Sequence, residues 1–310
     1  MLNTSTDQHT LIVIAGPTAS GKTAAAIKLA KHFNTVVVSA DSRQFYREMC
    51  IGTAKPTPNE LAEAQHYFIN SHSVTESFSV GDFEKRCLLL LNELFKTHDK
   101  VILAGGSGLY IKAVCEGFDD LPPAEQNIRE RLNNKLTEKG LSALQEQLKI
   151  IDPVYYNEVD INNPQRVIRA IEVYESSGKP ISYYRTAQIN QRPFKIKKLG
   201  LNMSRALLYD RINNRVDEMV RQGLVEEVKS LLPYRHLNAL HTVGYSEIFD
   251  YLDDQSTLNK AIDTIKQNTR RFAKRQLTWF RKDKDIIWLN PTDTDFTDKL
   301  LALAGRDTTH

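Results

Sequence analysis

Eight consecutive residues, Gly16-Pro17-Thr18-Ala19-Ser20-Gly21-Lys22-Thr23, satisfy the spacing G-x-x-x-x-G-K-[ST]. That spacing builds an anion cradle. Backbone N–H groups turn inward, a helix N-terminus adds partial positive charge, and Lys22 adds a full one. The Thr23 hydroxyl can sit on a Mg²⁺ ion. The bland alternative is a glycine-rich turn before a helix. The cradle specifies a polyphosphate and would hold any diphosphate ester; it does not by itself specify a nucleotide. A second cluster, Asp41-Ser42-Arg43-Gln44, closes the next apolar run. A carboxylate there can accept a proton, hold a metal, or simply cap the following turn. Two i,i+4 pairs add polar and basic groups: Gln165 with Arg169, and Arg211 with Arg215. Arginine suits bidentate phosphate contact; the alternatives are a solvated face, or pairing with Asp217 or Glu218.

Leu11–Ala15 is a short apolar, β-branched run stopped by Gly16 and Pro17, so it predicts a buried strand; Thr23–His32 predicts the helix after the cradle. Thr35–Ala40 predicts a second strand. In an open parallel sheet ligands bind beyond the carboxyl ends of strands, which puts Asp41 and Ser42 on the cradle's rim. Residues 51–58 predict a loop and 60–67 a helix. Residues 79–97 predict an amphipathic helix with Phe83, Cys87, Leu90, Leu91 and Leu94 facing the sheet. A third strand, Lys100–Ala104, runs into Gly105-Gly106-Ser107-Gly108. It lacks the acidic end that a nucleotide hydrolase commonly offers Mg²⁺, and its glycines predict close approach of something bulky.

From Leu121-Pro122-Pro123 onward the chain turns polar and helix-rich, which predicts a helical insertion. Strand pattern returns at 195–201. A helix over 207–229, a loop at His241-Thr242-Val243-Gly244-Tyr245 and a helix from Ser246 follow. The last long helix, 258–282, leads into a basic stretch: eight Lys or Arg and one acid lie between Lys266 and Lys284, interleaved with Phe272, Trp279 and Phe280. Such a helix fits contact with a nucleic-acid backbone; the alternative puts Phe272 and Trp279 in the core. Residues 286–289 predict a closing edge strand.

The net charge of +3 neither demands nor excludes nucleic acid. Cys50, Cys87 and Cys115 have no metal-ligand spacing and fit a reduced, cytoplasmic protein. His66 and His72 lack a third ligand nearby and read as structural or surface residues. No apolar run reaches a membrane span, and the N-terminus lacks an apolar signal region. Mobile ends are expected before about residue 10 and after about Leu303.

GPTASGKT (16–23), the Asp41-Ser42-x-Gln44-x-Tyr46 run, IGTAKP (51–56), GGSGLY (105–110), PQRVIRA (164–170), TVGY (242–245) and KRQLTWFR (274–281) together resemble the tRNA dimethylallyltransferase, or isopentenyltransferase, family in its bacterial form. The runs occur in family order over nearly the whole chain. The resemblance implies an α/β fold: a P-loop NTPase-like core with a parallel sheet flanked by helices (1–121 and 194–310), plus a helical insertion domain (122–193) contacting the tRNA anticodon stem-loop. It implies transfer of a dimethylallyl group from dimethylallyl diphosphate to the exocyclic amine of the adenosine 3′ of the anticodon, in tRNAs reading codons that start with U.

By the same resemblance Asp41 is the general base. Thr18, Lys22, Thr23 and Arg215 offset charge on the departing diphosphate, with Mg²⁺. The residues touching tRNA are Asp41, Ser42, Arg43, Gln44, Ser107, Arg129, Gln165, Arg166, Val167, Ile168, Arg169, His241, Thr242, Val243, Gly244, Tyr245 and Ser246. Ser107 stands where threonine is common, and His241 where glutamine is more usual. No Cys/His finger follows residue 288. A monomer, no membrane partner and base flipping of the adenine are expected. The competing readings are a small-molecule or nucleoside kinase on the same fold, and a non-catalytic RNA-binding protein with a vestigial loop.

Overall fold

Leu11 to Ala15 are apolar without alternation because β1 (Thr10–Ala15) is buried on both faces of a parallel sheet. The computed structural model describes residues 9–117, 119, 121–123, 125–185 and 190–306. Residues 1–8 and 307–310, expected above to be mobile, lie outside the described residues. With β2 (Val37–Ser39), β3 (His66–Tyr67), β4 (Lys100–Gly105), β5 (Lys195–Leu201) and β6 (Ile287–Leu289), β1 forms one six-stranded sheet in the order β3-β2-β4-β1-β5-β6. Every neighbouring pair is parallel. Ala15 is level with Gly105 and Ser39 with Ala104, so β1, β2 and β4 release their loops side by side.

The helices are α1 (Lys22–Phe33), α2 (Pro58–Glu63), α3 (Val80–Leu94), α4 (Gly108–Glu116), α5 (Gln126–Ile151), α6 (Pro153–Glu158), α7 (Pro164–Ser177), α8 (Ile181–Tyr184), α9 (Arg205–Arg221), α10 (Leu224–Ser230), α11 (Tyr245–Leu252), α12 (Leu258–Phe280) and α13 (Phe296–Gly305). Leu11 and Val13 face one way, onto Phe83, Cys87 and Leu91 of α3 and Phe280 of α12. Ile12 and Ile14 face the other, onto Ala26 and Leu29 of α1 and Leu300 and Ala304 of α13. Thus α3 docks the predicted stripe, with Leu90 only partly buried.

The chain divides into two compact units, 9–116 with 191–306 and, between them in sequence, Gly117–Asn190. In the second, Leu132, Leu144 and Leu148 of α5 pack with Val167, Ile168 and Ile171 of α7. Asp152 caps α6 through the Tyr155 N–H (3.0 Å) and also accepts the Ser182 N–H (2.9 Å), tying α8 to it. In the first unit Arg192 donates to the Val114 and Ala113 carbonyls (2.8 and 2.7 Å) and pairs with Glu84 at 2.7 Å. That brings the two strands of chain leading to and from the second unit together.

Several expected elements are redrawn. The helix expected over 60–67 ends at Glu63, and His66–Tyr67 joins the sheet edge because β2 offers it an unpaired parallel edge. The single helix expected over 207–229 is two, α9 and α10, parted at Gly223, whose φ of 100° is left-handed. The chain beyond Leu303 continues in α13, anchored by the buried Ala304. No helix among the described residues is long and apolar enough to cross a membrane.

Candidate active site

The rim formed by the ends of β1, β2 and β4 opens into a cavity of about 1070 Å³, lined wholly by the first unit. Its floor is the 16–23 loop. Gly21 and Ala19 are both left-handed there (φ 92° and 63°), the alanine at a steric cost of about 1 kcal/mol. Lys22 opens α1 and curls back to donate to the Pro17 carbonyl at 2.7 Å. Thr18, Gly21, Lys22 and Thr23 line the cavity. Gly16 and Pro17 are buried beneath it, and Ser20 is fully buried.

Asp41 faces this floor. Its Oδ1 accepts the Arg43 N–H at 3.0 Å, which fixes the carboxyl at the turn after β2. Ser107, after β4, holds the same segment: its Oγ accepts the Ser42 N–H at 3.0 Å, and the two hydroxyls are 3.1 Å apart. Arg215 comes from α9, 3.5 Å from the Thr18 hydroxyl. Burial lowers the Lys22 pKa to about 8; Asp41 pulls it back up and Arg215 pushes it further down. Arg215 itself is lowered by burial, offset by Glu60 and Asp41. One carboxylate therefore acts on both cations across a single cavity. Lys22 and Arg215, gathered with Thr18 at the N-terminus of α1, suit a polyanionic group there.

His241, Thr242, Val243, Gly244 and Ser246 line the opposite wall with Ser42, Arg43 and Gln44. The Gln44 amide is already committed, donating to the Thr53 and Ala54 carbonyls at 3.2 and 3.1 Å; it orders the 51–56 loop. Tyr245 differs from the expectation. Its ring is fully buried, and its hydroxyl donates to Glu227 at 2.7 Å rather than facing the cavity. Arg211 does not line the cavity.

Arg129 and Gln165 to Arg169 lie in the second unit. Val167 and Ile168 are fully buried in its core, so their side chains pack rather than contact a ligand. Arg129 and Arg169 both clasp Glu172, a buried carboxylate, at 2.8–2.9 Å. Hydrogen bonds and charge from the two guanidiniums hold the Glu172 carboxyl below its ordinary range, against the effect of burial. Gln165 and Arg166 are exposed.

Three further side chains that fix the cavity walls were not singled out from the sequence, although Gln276 lies within the 274–281 run. Gln276 on α12 accepts the Thr18 N–H at 2.8 Å and donates to the Gly106 carbonyl at 2.9 Å. Glu247 accepts the Gly244 N–H (2.8 Å) and the Asn268 amide (2.7 Å), fixing the 241–246 wall to α12. Glu227 accepts N–H groups from Cys50, Ile51 and Gly52 at 2.7–3.0 Å, besides the Tyr245 hydroxyl. Only Glu247 carried a local hint, three residues after the Gly244 that starts its helix. The bulky group expected against the Gly105–Gly108 turn is the chain itself: a Cβ on Gly108 would lie 2.2 Å from the Trp279 ring.

For Mg²⁺ the chemistry of the donor set decides. No cluster of three or more His, Cys, Asp or Glu suited to a metal occurs among the described residues. Thr23 on the cavity wall fits a Mg²⁺ ion that takes its other ligands from diphosphate oxygens and water, as Mg²⁺ commonly does.

Known proteins resemble the chain along most of its length. The family model described as IPP transferase matches residues 44–283. The tRNA dimethylallyltransferase of Christiangramia forsetii is 53% identical over 278 residues, 90% of this chain and 92% of that one. A tRNA dimethylallyltransferase 1 of Phocaeicola vulgatus is 48% identical over 91% of this chain and 94% of its own. The crystal structure of a full-length tRNA isopentenylpyrophosphate transferase from Bacillus halodurans superposes with a TM-score of 0.70 at 40% identity, covering 96% of this chain and 94% of that one. That of a eukaryotic dimethylallyltransferase acting on tRNA gives 0.79 at 27% identity, covering 95% and 77%. With a six-stranded parallel sheet, a P-loop-like cradle and this similarity along nine-tenths of its length, the chain belongs to the IPP transferase family.

Proposed function

We propose that the chain transfers the dimethylallyl group of dimethylallyl diphosphate to the exocyclic amine of the adenosine 3′ of the tRNA anticodon, releasing diphosphate. The observation that carries this reading is the single cavity holding Asp41 opposite Lys22, Thr18 and Arg215. The diphosphate occupies the 16–23 cradle, where loop N–H groups and Lys22 meet its oxygens. The amine is a poor nucleophile because its lone pair is delocalised into the purine ring. As the nitrogen bonds to the first prenyl carbon, the carbon–oxygen bond breaks and the electron pair leaves with the diphosphate. Asp41 accepts the proton the nitrogen must lose. Lys22, Thr18 and Arg215 meet the charge growing on the leaving group, and the loss of one such contact costs about 2–4 kcal/mol of barrier. Mg²⁺ held at Thr23 would neutralise part of the diphosphate charge. Ser42, Arg43 and the 241–246 wall contact the flipped base and its neighbours, and the exposed bases of α12 follow the RNA backbone. We read the active species as a monomer, and its free Cys50, Cys87 and Cys115 as suited to a reducing, cytoplasmic setting.

The test is transfer of label from dimethylallyl diphosphate into tRNA, followed by mass analysis of the nucleosides. Appearance of N6-dimethylallyladenosine is expected. Phosphate transfer from labelled ATP with no prenyl transfer would replace this reading with the kinase.

A further inference from the structure

Transfer of this kind fails unless two things are held at a fixed separation: the acid that takes the proton and the cradle that takes the leaving group. The reacting carbon must lie between them. The two sit on different loops, after β2 and after β1, with the end of β4 between them in the sheet. One side chain ties the cradle to the β4 turn that fills that gap. Gln276, buried at 7% exposure, accepts the Thr18 N–H of the cradle at 2.8 Å through Oε1 and donates to the Gly106 carbonyl at 2.9 Å through Nε2. From Gly106 the linkage runs on through Ser107, whose hydroxyl accepts the Ser42 N–H at 3.0 Å, to Asp41. The fit is tight, since a Cβ on Gly106 would come 2.4 Å from Nε2.

We propose that Gln276 is a positioning residue for the transfer, its amide setting the spacing between the diphosphate cradle and the Asp41 segment. An amide of this length accepts from an N–H and donates to a carbonyl at once, without a charge. An ionised carboxylate of the same shape keeps the first bond and sets two acceptors face to face at the second. The role rests on the transfer reading above, and it is not that of a catalytic residue: Gln276 acts through Thr18 and through the Gly106–Ser107 turn.

The experiment compares wild type with Gln276→Leu, Gln276→Glu and Gly106→Ala, the last displacing the amide from its other side. Steady-state transfer is measured with dimethylallyl diphosphate and an anticodon stem-loop RNA, alongside thermal melting. The expected result is a kcat at least about tenfold lower in each folded variant, with KM for the RNA within about twofold of wild type. Gln276→Glu should in addition raise KM for the diphosphate donor, because it places a negative charge beside the cradle. A kcat unchanged in folded Gln276→Leu and Gly106→Ala overturns the proposal. So does a loss confined to KM for the RNA, which would make Gln276 an RNA contact. An inactive wild type would instead sink the transfer reading itself.

Discussion

Asp41 and Lys22 share one electrostatic field yet have separable jobs, and the separation can be measured. Asp41→Asn keeps the acceptor for the Arg43 N–H but removes the basic oxygen. Its expected effect is a loss of about 10²–10⁴ in kcat with the RNA dissociation constant nearly unchanged, checked by single-turnover transfer and filter binding. A variant with wild-type kcat would remove Asp41 from the chemistry. Lys22 gives a pH signature. Its pKa in the free protein is about 8 against an ordinary 10.5, so between those values the unfolded chain holds more protons and stability should rise with pH. On the proposed reading, diphosphate binding needs the charged ammonium. Donor affinity is therefore expected to fall by up to about tenfold per pH unit above 8, with proton uptake on binding. Calorimetry in two buffers of different ionisation enthalpy measures that uptake; in Lys22→Arg the pH slope should vanish because the guanidinium stays charged. Asp41 and Lys22 were legible in the sequence because each stands beside a strand end within its own motif. Gln276 was not, because its partner Thr18 lies 258 residues away and nothing local marks the pairing.

Among the elements, α12 carries two kinds of basic residue that look alike in sequence. Arg271 and Lys274 are exposed, whereas Arg270 donates to Asn213 at 2.7 Å and stacks over Tyr209, and Lys266 pairs with Asp217 at 2.6 Å. Changing Arg271 and Lys274 to Gln should weaken RNA binding and reduce the slope of log affinity against log salt by about 1–2. Arg270→Gln should leave that slope closer to wild type. Phe272 and Trp279 are both part-exposed and Phe280 is buried, so the helix divides its aromatics between solvent and core. Neither reading of the sequence alone anticipated that division, since i,i+4 spacing cannot say where the second face meets its neighbours. The loop–helix joint at Glu227 offers a stability test. Glu227→Ala strands three N–H groups and the Tyr245 hydroxyl and is expected to cost about 3 kcal/mol; Tyr245→Phe, which removes one bond, should cost about 1 kcal/mol. Urea midpoints at constant m measure both. Equal costs would mean that the three N–H groups find other partners or that water reaches the loop.

The net charge of +3 on 310 residues leaves no broad positive field, so RNA affinity has to come from local groups. Parallel order and the shared rim of strand ends were legible because each apolar run led into a turn carrying polar groups. The short edge strand β3 and the terminal helix α13 were not, since two residues give no periodicity and α13 is placed by packing on α1 and on the sheet. The division into units permits a test of the whole molecule. Every residue lining the cavity belongs to the first unit, and Arg192 binds the Val114 and Ala113 carbonyls, so the exits to Gly117–Asn190 lie close together. Replacing 117–190 with a short Gly/Ser linker should therefore leave the sheet, the cradle and Asp41 in place, as excision at adjacent chain ends is well tolerated. Diphosphate affinity, measured by calorimetry, is expected to stay within about threefold of the whole chain, a free-energy change of under 1 kcal/mol. Transfer to the anticodon stem-loop should be lost, because the exposed Gln165 and Arg166 and the Glu172-anchored Arg129 and Arg169 leave with the excised unit. If a folded, shortened protein still modifies the stem-loop at wild-type kcat/KM, those residues have no part in holding RNA. If it folds but no longer binds diphosphate, the cradle is not the self-contained site that its lining describes.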